Sequence, residues 1–190
     1  GGTNGALPAT RAVLAQADLV LFIGCRAGST TTEHWKLPGA GVTILHLDVD
    51  AATIGTNYRT DVALVGDARL GLQALLDQFK NNSALSARDK RQGLKLAEAA
   101  RAGKQAFFDP LAASTETPIR PEVVLAALIK LLPRKAIAVA DPGTPCPYFS
   151  AYFQAPEAGR HFITNRAHGA LGYSMAAAFG AQVGAPDPVV

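Results

Sequence analysis

Leu19-Val20-Leu21-Phe22-Ile23-Gly24-Cys25-Arg26, residues 19–26, is the stretch on which the fold class turns. Five apolar residues follow one another with no polar alternation, which predicts a strand buried on both faces, as in a parallel sheet. Gly24 ends the run, and a small polar loop continues to Thr32. Two further runs follow, Val42–Asp48 and the shorter Asp61–Gly66, separated by a predicted helical turn over Ala51–Gly55. Asp67 is placed to cap an amphipathic helix over 68–80, with Leu72, Leu75, Leu76 and Phe79 toward the core. Upstream, residues 1–10 read as a Gly-rich loop, and Thr10 as the N-cap of a short helix over 10–17. Strands and helices alternate. The predicted class is α/β, with Rossmann-like parallel sheets flanked by helices.

Composition shifts after residue 82. Asn81-Asn82-Ser83 reads as a linker, followed by a less hydrophobic helix over about 86–108 that Asp109-Pro110 is expected to end. A polar connector occupies 111–117. Two partial domains joined by a helical linker are therefore expected: 1–82, 83–118 and 119–190. The second opens with a helix over 121–132, with Pro121 in its first turn and Val124, Leu125, Leu128 and Leu132 inward. A buried strand over 135–140, a loop over 141–147, a helical stretch over 148–153 and a strand over 161–164 follow. The chain then runs through an Ala-rich helix over 175–183, a loop over 184–188 and the start of a strand at Val189-Val190.

Several function classes are excluded. The net charge of +3 is scattered, and the one basic cluster, Arg88–Lys104, alternates with Ala and Leu as a solvated helix face does. No nucleic-acid partner is expected. Cys25 and Cys146 stand far apart with no CxxC pairing, so neither a disulfide framework nor a zinc site is signalled. The longest apolar runs fall well short of the ~20 residues of a membrane span. With no signal peptide and no initial Met, a cytoplasmic piece of a longer protein is expected.

In an open parallel sheet, ligands bind beyond the carboxyl ends of the strands. Gly24, Arg26, Asp48 and Asp50 lie in two such loops. They suit a nucleotide, with glycine allowing close approach and a carboxylate meeting ribose hydroxyls. They equally suit a plain turn with an Asp cap, and no GxGxxG fingerprint is present. In Asp141-Pro142-Gly143-Thr144, backbone N–H groups and the Thr144 hydroxyl can meet a phosphate, or the segment is simply a tight turn. Pro145 and Pro147 remove two donors there, and Cys146 reads as a small packed residue. His168 reads as a proton-transfer group or as a hydrogen bonder at a helix start. Gly169 and Gly172 flank Ala170-Leu171, so that a flat ligand can lie on backbone with Leu171 as an apolar shelf. Close helix–strand packing would use the same glycines.

The segment Gly169–Ala181 resembles the G-x-(M/L)-G-(x)3-AA-x-GA segment of thiamine-diphosphate enzymes of the acetolactate synthase and benzoylformate decarboxylase type. Ala17–Arg26, His46–Asp50 and Val65–Ala68 resemble the central domain of the same enzymes, in the same order. The resemblance implies that 1–82 is the later part of a central domain and 119–190 the beginning of a pyrophosphate-binding domain. It places the activating glutamate and the magnesium motif outside the chain, leaving no catalytic residue and no metal ligand to assign within it. It implies a cofactor-binding set of Gly143, Thr144, Pro145, Cys146, His168, Gly169, Ala170 and Leu171. In that set the Gly169 carbonyl accepts a hydrogen bond from the aminopyrimidine, Leu171 wedges between the cofactor's two rings, and Thr144 and its neighbours approach the diphosphate. Gly24, Arg26, Asp48 and Asp50 match positions where some relatives hold FAD or ADP. Thr144-Pro145-Cys146-Pro147 departs from acetolactate synthase, where polar side chains are usual, and weighs against that particular activity.

The implied function is that of a lyase or transferase using thiamine diphosphate and Mg2+. It would cleave or form a C–C bond next to the carbonyl of a 2-oxo acid, as a homodimer or homotetramer, and the 190 residues alone are expected to be inactive. The alternative is a non-catalytic nucleotide-binding or scaffold module.

Overall fold

Leu19–Ile23 (β1), Thr43–Asp48 (β2) and Val62–Val65 (β3) pair in parallel in the order β1-β2-β3, with Leu19 opposite Thr43 and Leu45 opposite Val62. The computed structural model describes residues 7–82, 91–185, 187 and 190, and the chain divides into two compact units, Gly1–Lys104 and Gln105–Val190. The expected loop over 1–6, most of the linker with the start of its helix, and parts of the 184–190 loop and strand lie outside the described residues.

The three apolar runs are strands, but burial on both faces holds only for the central one. On β2, Ile44, His46, Leu47 and Asp48 are buried, whereas Leu19 of β1 and Val65 of β3 are 49% and 63% exposed. The reason is topological. Strands β1 and β3 are the edges of this sheet, and helix Ala68–Asn81 (α2) packs over β2. As predicted, Asp67 caps α2, its Oδ1 accepting the Leu70 N–H at 3.0 Å. Leu72 and Leu75 are half-buried, but Leu76 and Phe79, expected to point inward, are exposed. The opposite face of the sheet holds Phe22, Ala27 and Ile44, with Val20, Cys25, Val42 and Tyr58 against them. Phe22 sits 5.7 Å from Tyr58 and 5.8 Å from His46, ring to ring.

The first helix, Pro8–Leu14 (α1), begins before Thr10, and its N-cap is Leu7. Proline at the first helical position brings a preset φ and no N–H to satisfy, so it starts the helix ahead of the threonine. Arg11 of α1 pairs with both carboxylate oxygens of Glu33, which raises the arginine's pKa and lowers the glutamate's. Glu33, His34 and Trp35 all adopt left-handed backbone, with φ of 51°, 57° and 59°. Buried Thr32 organises this turn: its hydroxyl donates to the Gly28 carbonyl and accepts the Trp35 N–H, and its carbonyl accepts from Lys36 and Leu37.

Helix Arg91–Ala112 (α3) runs past Asp109-Pro110, contrary to expectation. Pro110 lies so near the end that its missing N–H removes one bond of the last turn only. Pro121–Leu131 (α4), Ala138–Val139 (β4), Pro145–Tyr152 (α5), Phe162–Ile163 (β5) and Tyr173–Gly184 (α6) follow. In α4 Leu125 is buried as predicted, whereas Val124 and Leu128 are exposed. Strand β4 is shorter than its apolar run because it pairs, in parallel, over two residues of β5 alone. Helix α5 starts at Pro145 rather than 148, so both prolines fall in its first turn, where no intrahelical N–H is needed. Phe149 stacks on Phe162 at 5.3 Å and Phe108 lies 4.3 Å from Tyr152.

Gly71 of α2 meets the core at its tightest point. A Cβ there would lie 2.9 Å from Leu47 Cδ1, and Leu47 is 1% exposed. Glycine costs roughly 1 kcal/mol against alanine inside a helix, while overpacking a core costs about 1–3 kcal/mol. Gly71→Ala should therefore destabilise the wild-type protein but stabilise a Leu47→Ala variant, whose shortened side chain vacates that space. Urea unfolding of the four proteins in a double-mutant cycle reads the change of sign.

Candidate functional site

Strands β4 and β5 end side by side, and the chain leaves each through a polar residue. After β4 and Ala140 comes Asp141; after β5 come Thr164 and Asn165. The Asn165 carbonyl accepts the N–H groups of His168 and Gly169 at 2.8 and 2.9 Å, and its side-chain amide donates to the Ala170 carbonyl at 3.0 Å. Gly169 (φ +78°) and Gly172 (φ +84°) take the left-handed backbone this bend requires, where a Cβ would be strained. The loop from Asp141 lies against the same segment: a Cβ on Gly143 would fall 3.5 Å from Leu171 Cδ2. Arg166 reaches back to the Pro142 carbonyl at 3.4 Å.

The Asp141 carboxylate joins the two loops. One oxygen accepts the Gly172 N–H at 2.8 Å and the other the Ser174 N–H at 2.7 Å. These bonds, Gly172 first and then Ser174, hold the carboxyl below the usual aspartate range. Gly172 is the N-cap of α6 and has no side chain to cap with, so Asp141 supplies the acceptor from the neighbouring strand end.

Of the residues singled out in the sequence, Gly143 and Leu171 are brought beside one another. Leu171 is 75% exposed, an apolar side chain with no place in the core. Thr144, Pro145, His168, Gly169 and Ala170 are exposed around them. His168 lies in the 166–168 turn and not at the helix start. Cys146 is fully buried, with its sulfur 3.8 Å from the Ser150 hydroxyl. Among the described residues, no group donates to the Gly169 carbonyl. Thr164 Oγ1 and Asn165 Oδ1 are buried and have no hydrogen-bond partner among the described residues. An open carbonyl, an exposed leucine against a glycine turn and two orphaned polar atoms fit a flat, polar-edged cofactor. Asp141 and Asn165 were not singled out as site residues. An acidic residue directly after an apolar strand is a readable signal for a loop cap, but its partners, 31 and 33 residues away, are not.

In the other unit, a cleft of about 480 Å³ is lined by Arg26, Gly28, Asp50, Thr53, Thr56 and Asn57, among others. It brings Arg26 and Asp50 together and leaves Gly24 and Asp48 outside its lining. Asp48 is buried, its Oδ1 accepting the Asp50 N–H at 2.9 Å. Asp50 in turn accepts the Ala52 N–H and the Thr53 hydroxyl, and Asn57 holds the Arg26 carbonyl. Both carboxylates therefore serve the turn. Among the described residues, His, Cys, Asp and Glu form no cluster of three that could hold a metal, and no helix is long and apolar enough to cross a membrane.

Residues 1–75 match the family described as thiamine pyrophosphate enzyme, central domain, and residues 141–190 the C-terminal TPP binding domain of the same enzymes. The probable acetolactate synthase large subunit of Methanococcus aeolicus is 28% identical over 197 residues, covering 100% of this chain and 32% of that protein. The probable sulfoacetaldehyde acetyltransferase of Rhizobium meliloti is 30% identical, covering 100% and 34%. The probable 2-ketoarginine decarboxylase of Pseudomonas aeruginosa is 32% identical, covering 92% and 29%. The chain thus spans about a third of the length of these relatives.

The lowered pKa of Asp141 makes its clamp a pH-dependent contribution to stability. A carboxyl depressed on folding contributes fully above its unfolded value, about 3.9, and loses that contribution as pH falls through the folded value. The stability difference between wild type and Asp141→Asn should be largest at neutral pH and shrink through that acid window. Denaturant midpoints measured along a descending pH series check it.

Proposed function

The chain belongs to the thiamine pyrophosphate enzymes of the acetolactate synthase and benzoylformate decarboxylase type, and on that footing we propose that it forms part of a lyase or transferase acting next to the carbonyl of a 2-oxo acid. The observation that carries this reading is the Gly169 carbonyl, open and adjoining an exposed Leu171 that faces Gly143. Bound there with Mg2+, thiamine diphosphate would supply the electron sink for cleaving or forming the C–C bond.

The chain's own residues hold and orient. The Gly169 carbonyl would accept a hydrogen bond from the aminopyrimidine. Leu171 would stand against the cofactor's rings and restrict their orientation, and orientation of this kind is worth up to about 7–11 kcal/mol. Thr144, with Gly143 and Pro145, would border the diphosphate, with Cys146 buried in the same segment. Ala170 and His168 complete the rim. We assign 1–82 to the central domain, 83–118 to a linker and 119–190 to the pyrophosphate-binding domain, within a cytoplasmic homodimer or homotetramer.

A second reading, binding of ADP or FAD, rests on the cleft that Arg26 and Asp50 share, with Asp48 holding the Asp50 turn and Gly24 outside the lining. Calorimetric titration of the full-length protein with thiamine diphosphate and Mg2+, and separately with ADP and FAD, discriminates the two. Binding of ADP or FAD alone, with no response to thiamine diphosphate, would leave only the nucleotide-binding module.

Leu171 offers a sharp test of the first reading. Truncating so exposed a side chain should change stability by no more than about 0.5 kcal/mol. If it shapes the bound cofactor, Leu171→Ala should still lower turnover of a 2-oxo acid by at least about tenfold. Thermal melts and steady-state kinetics on the full-length protein separate the two effects.

A further inference from the structure

We propose that Asp141 is a positioning residue that fixes the Gly169 carbonyl and Leu171 against the Gly143 turn, without itself touching the cofactor. The inference rests on the thiamine-diphosphate reading above. The segment between β5 and α6 contains two glycines in left-handed backbone, and a glycine-rich bend does not hold its own shape. It is held at two points. Asn165 fixes its start through the His168 and Gly169 N–H groups and the Ala170 carbonyl. Asp141 fixes its end through the Gly172 and Ser174 N–H groups. Leu171 therefore stands between a residue gripped by Asn165 and a residue gripped by Asp141.

Asp141 also lies two residues before Gly143, the glycine that faces Leu171. One carboxylate thus ties the Gly143 turn to the segment that carries Leu171. Its bonds reach across 31 and 33 residues, joining the exits of two adjacent parallel strands. No other carboxylate among the described residues accepts backbone N–H groups from so far along the chain; the next longest such bond is that of Asp61 to the Ile44 N–H, 17 residues away. The negative charge stands at the first turn of α6, where the helix dipole favours it.

The test uses the full-length protein as wild type, Asp141→Asn and Asp141→Ala. Asparagine keeps one acceptor oxygen and loses the charge; alanine loses both. Calorimetric affinity for thiamine diphosphate with Mg2+, measured well below each melting temperature, should fall about tenfold or more in Asp141→Ala and by a smaller factor in Asp141→Asn. Amide exchange at Gly172 and Ser174 in the cofactor-free proteins should quicken in the same order. A purely structural role would lower the melting temperature while leaving the affinity of the folded protein unchanged, and that result overturns the proposal. If Asp141→Ala does not fold, wild-type affinity in Asp141→Asn overturns it equally. Failure of the wild type to bind thiamine diphosphate defeats the functional reading, and the positioning role with it; wild-type binding with unchanged variants defeats the positioning role alone.

Discussion

Every strand that leaves a parallel sheet must hand its chain to a turn or helix whose first N–H groups lack partners. In this chain aspartates meet that demand. Asp48, at the end of β2, accepts the Asp50 N–H; Asp50 accepts the Ala52 N–H; Asp67, just after β3, accepts the Leu70 N–H. These three act within a few residues of themselves. Asp141 does the same chemistry across two strands, and so turns a local cap into a join between loops. The first three each hold a single loop, whereas Asp141 ties the Gly143 turn to the segment that carries Leu171.

The placement of the strands was legible because buried parallel strands need largely apolar runs: Leu19–Ile23 is unbroken, and Thr43–Asp48 carries Ile44, Leu45 and Leu47 around His46. Their two-sided burial was not legible. The exposure of Leu19 and Val65 depends on which elements cover the sheet edges, and no run of residues carries that information. Helix ends at the prolines were not legible for a related reason. Pro8 and Pro145 start helices, and Pro110 is carried inside one, because the cost of a missing N–H depends on its distance from a terminus.

The bend at the candidate site was legible in its glycines, since left-handed backbone favours that residue, whereas the exposure of Leu171 is set by tertiary packing. The carboxylate that orders them was not legible either, because its partners are set by the register of β4 against β5. The nucleotide-like pair was half legible. Arg26 and Asp50 share a cleft, but Asp48 is turned inward to its own turn.

The turn at Glu33-His34-Trp35 has a bearing on how the protein can be engineered. Left-handed backbone costs an L-residue about 1–2 kcal/mol, and here three stand in a row, steadied by Thr32 and by the Arg11–Glu33 pair. His34 and Trp35 are both exposed, so neither is tied down by core packing. The easiest gains in robustness thus lie in a surface turn and not in the hydrophobic interior. Glycine or asparagine at 34 would relax the backbone while leaving both of the contacts that shape it intact.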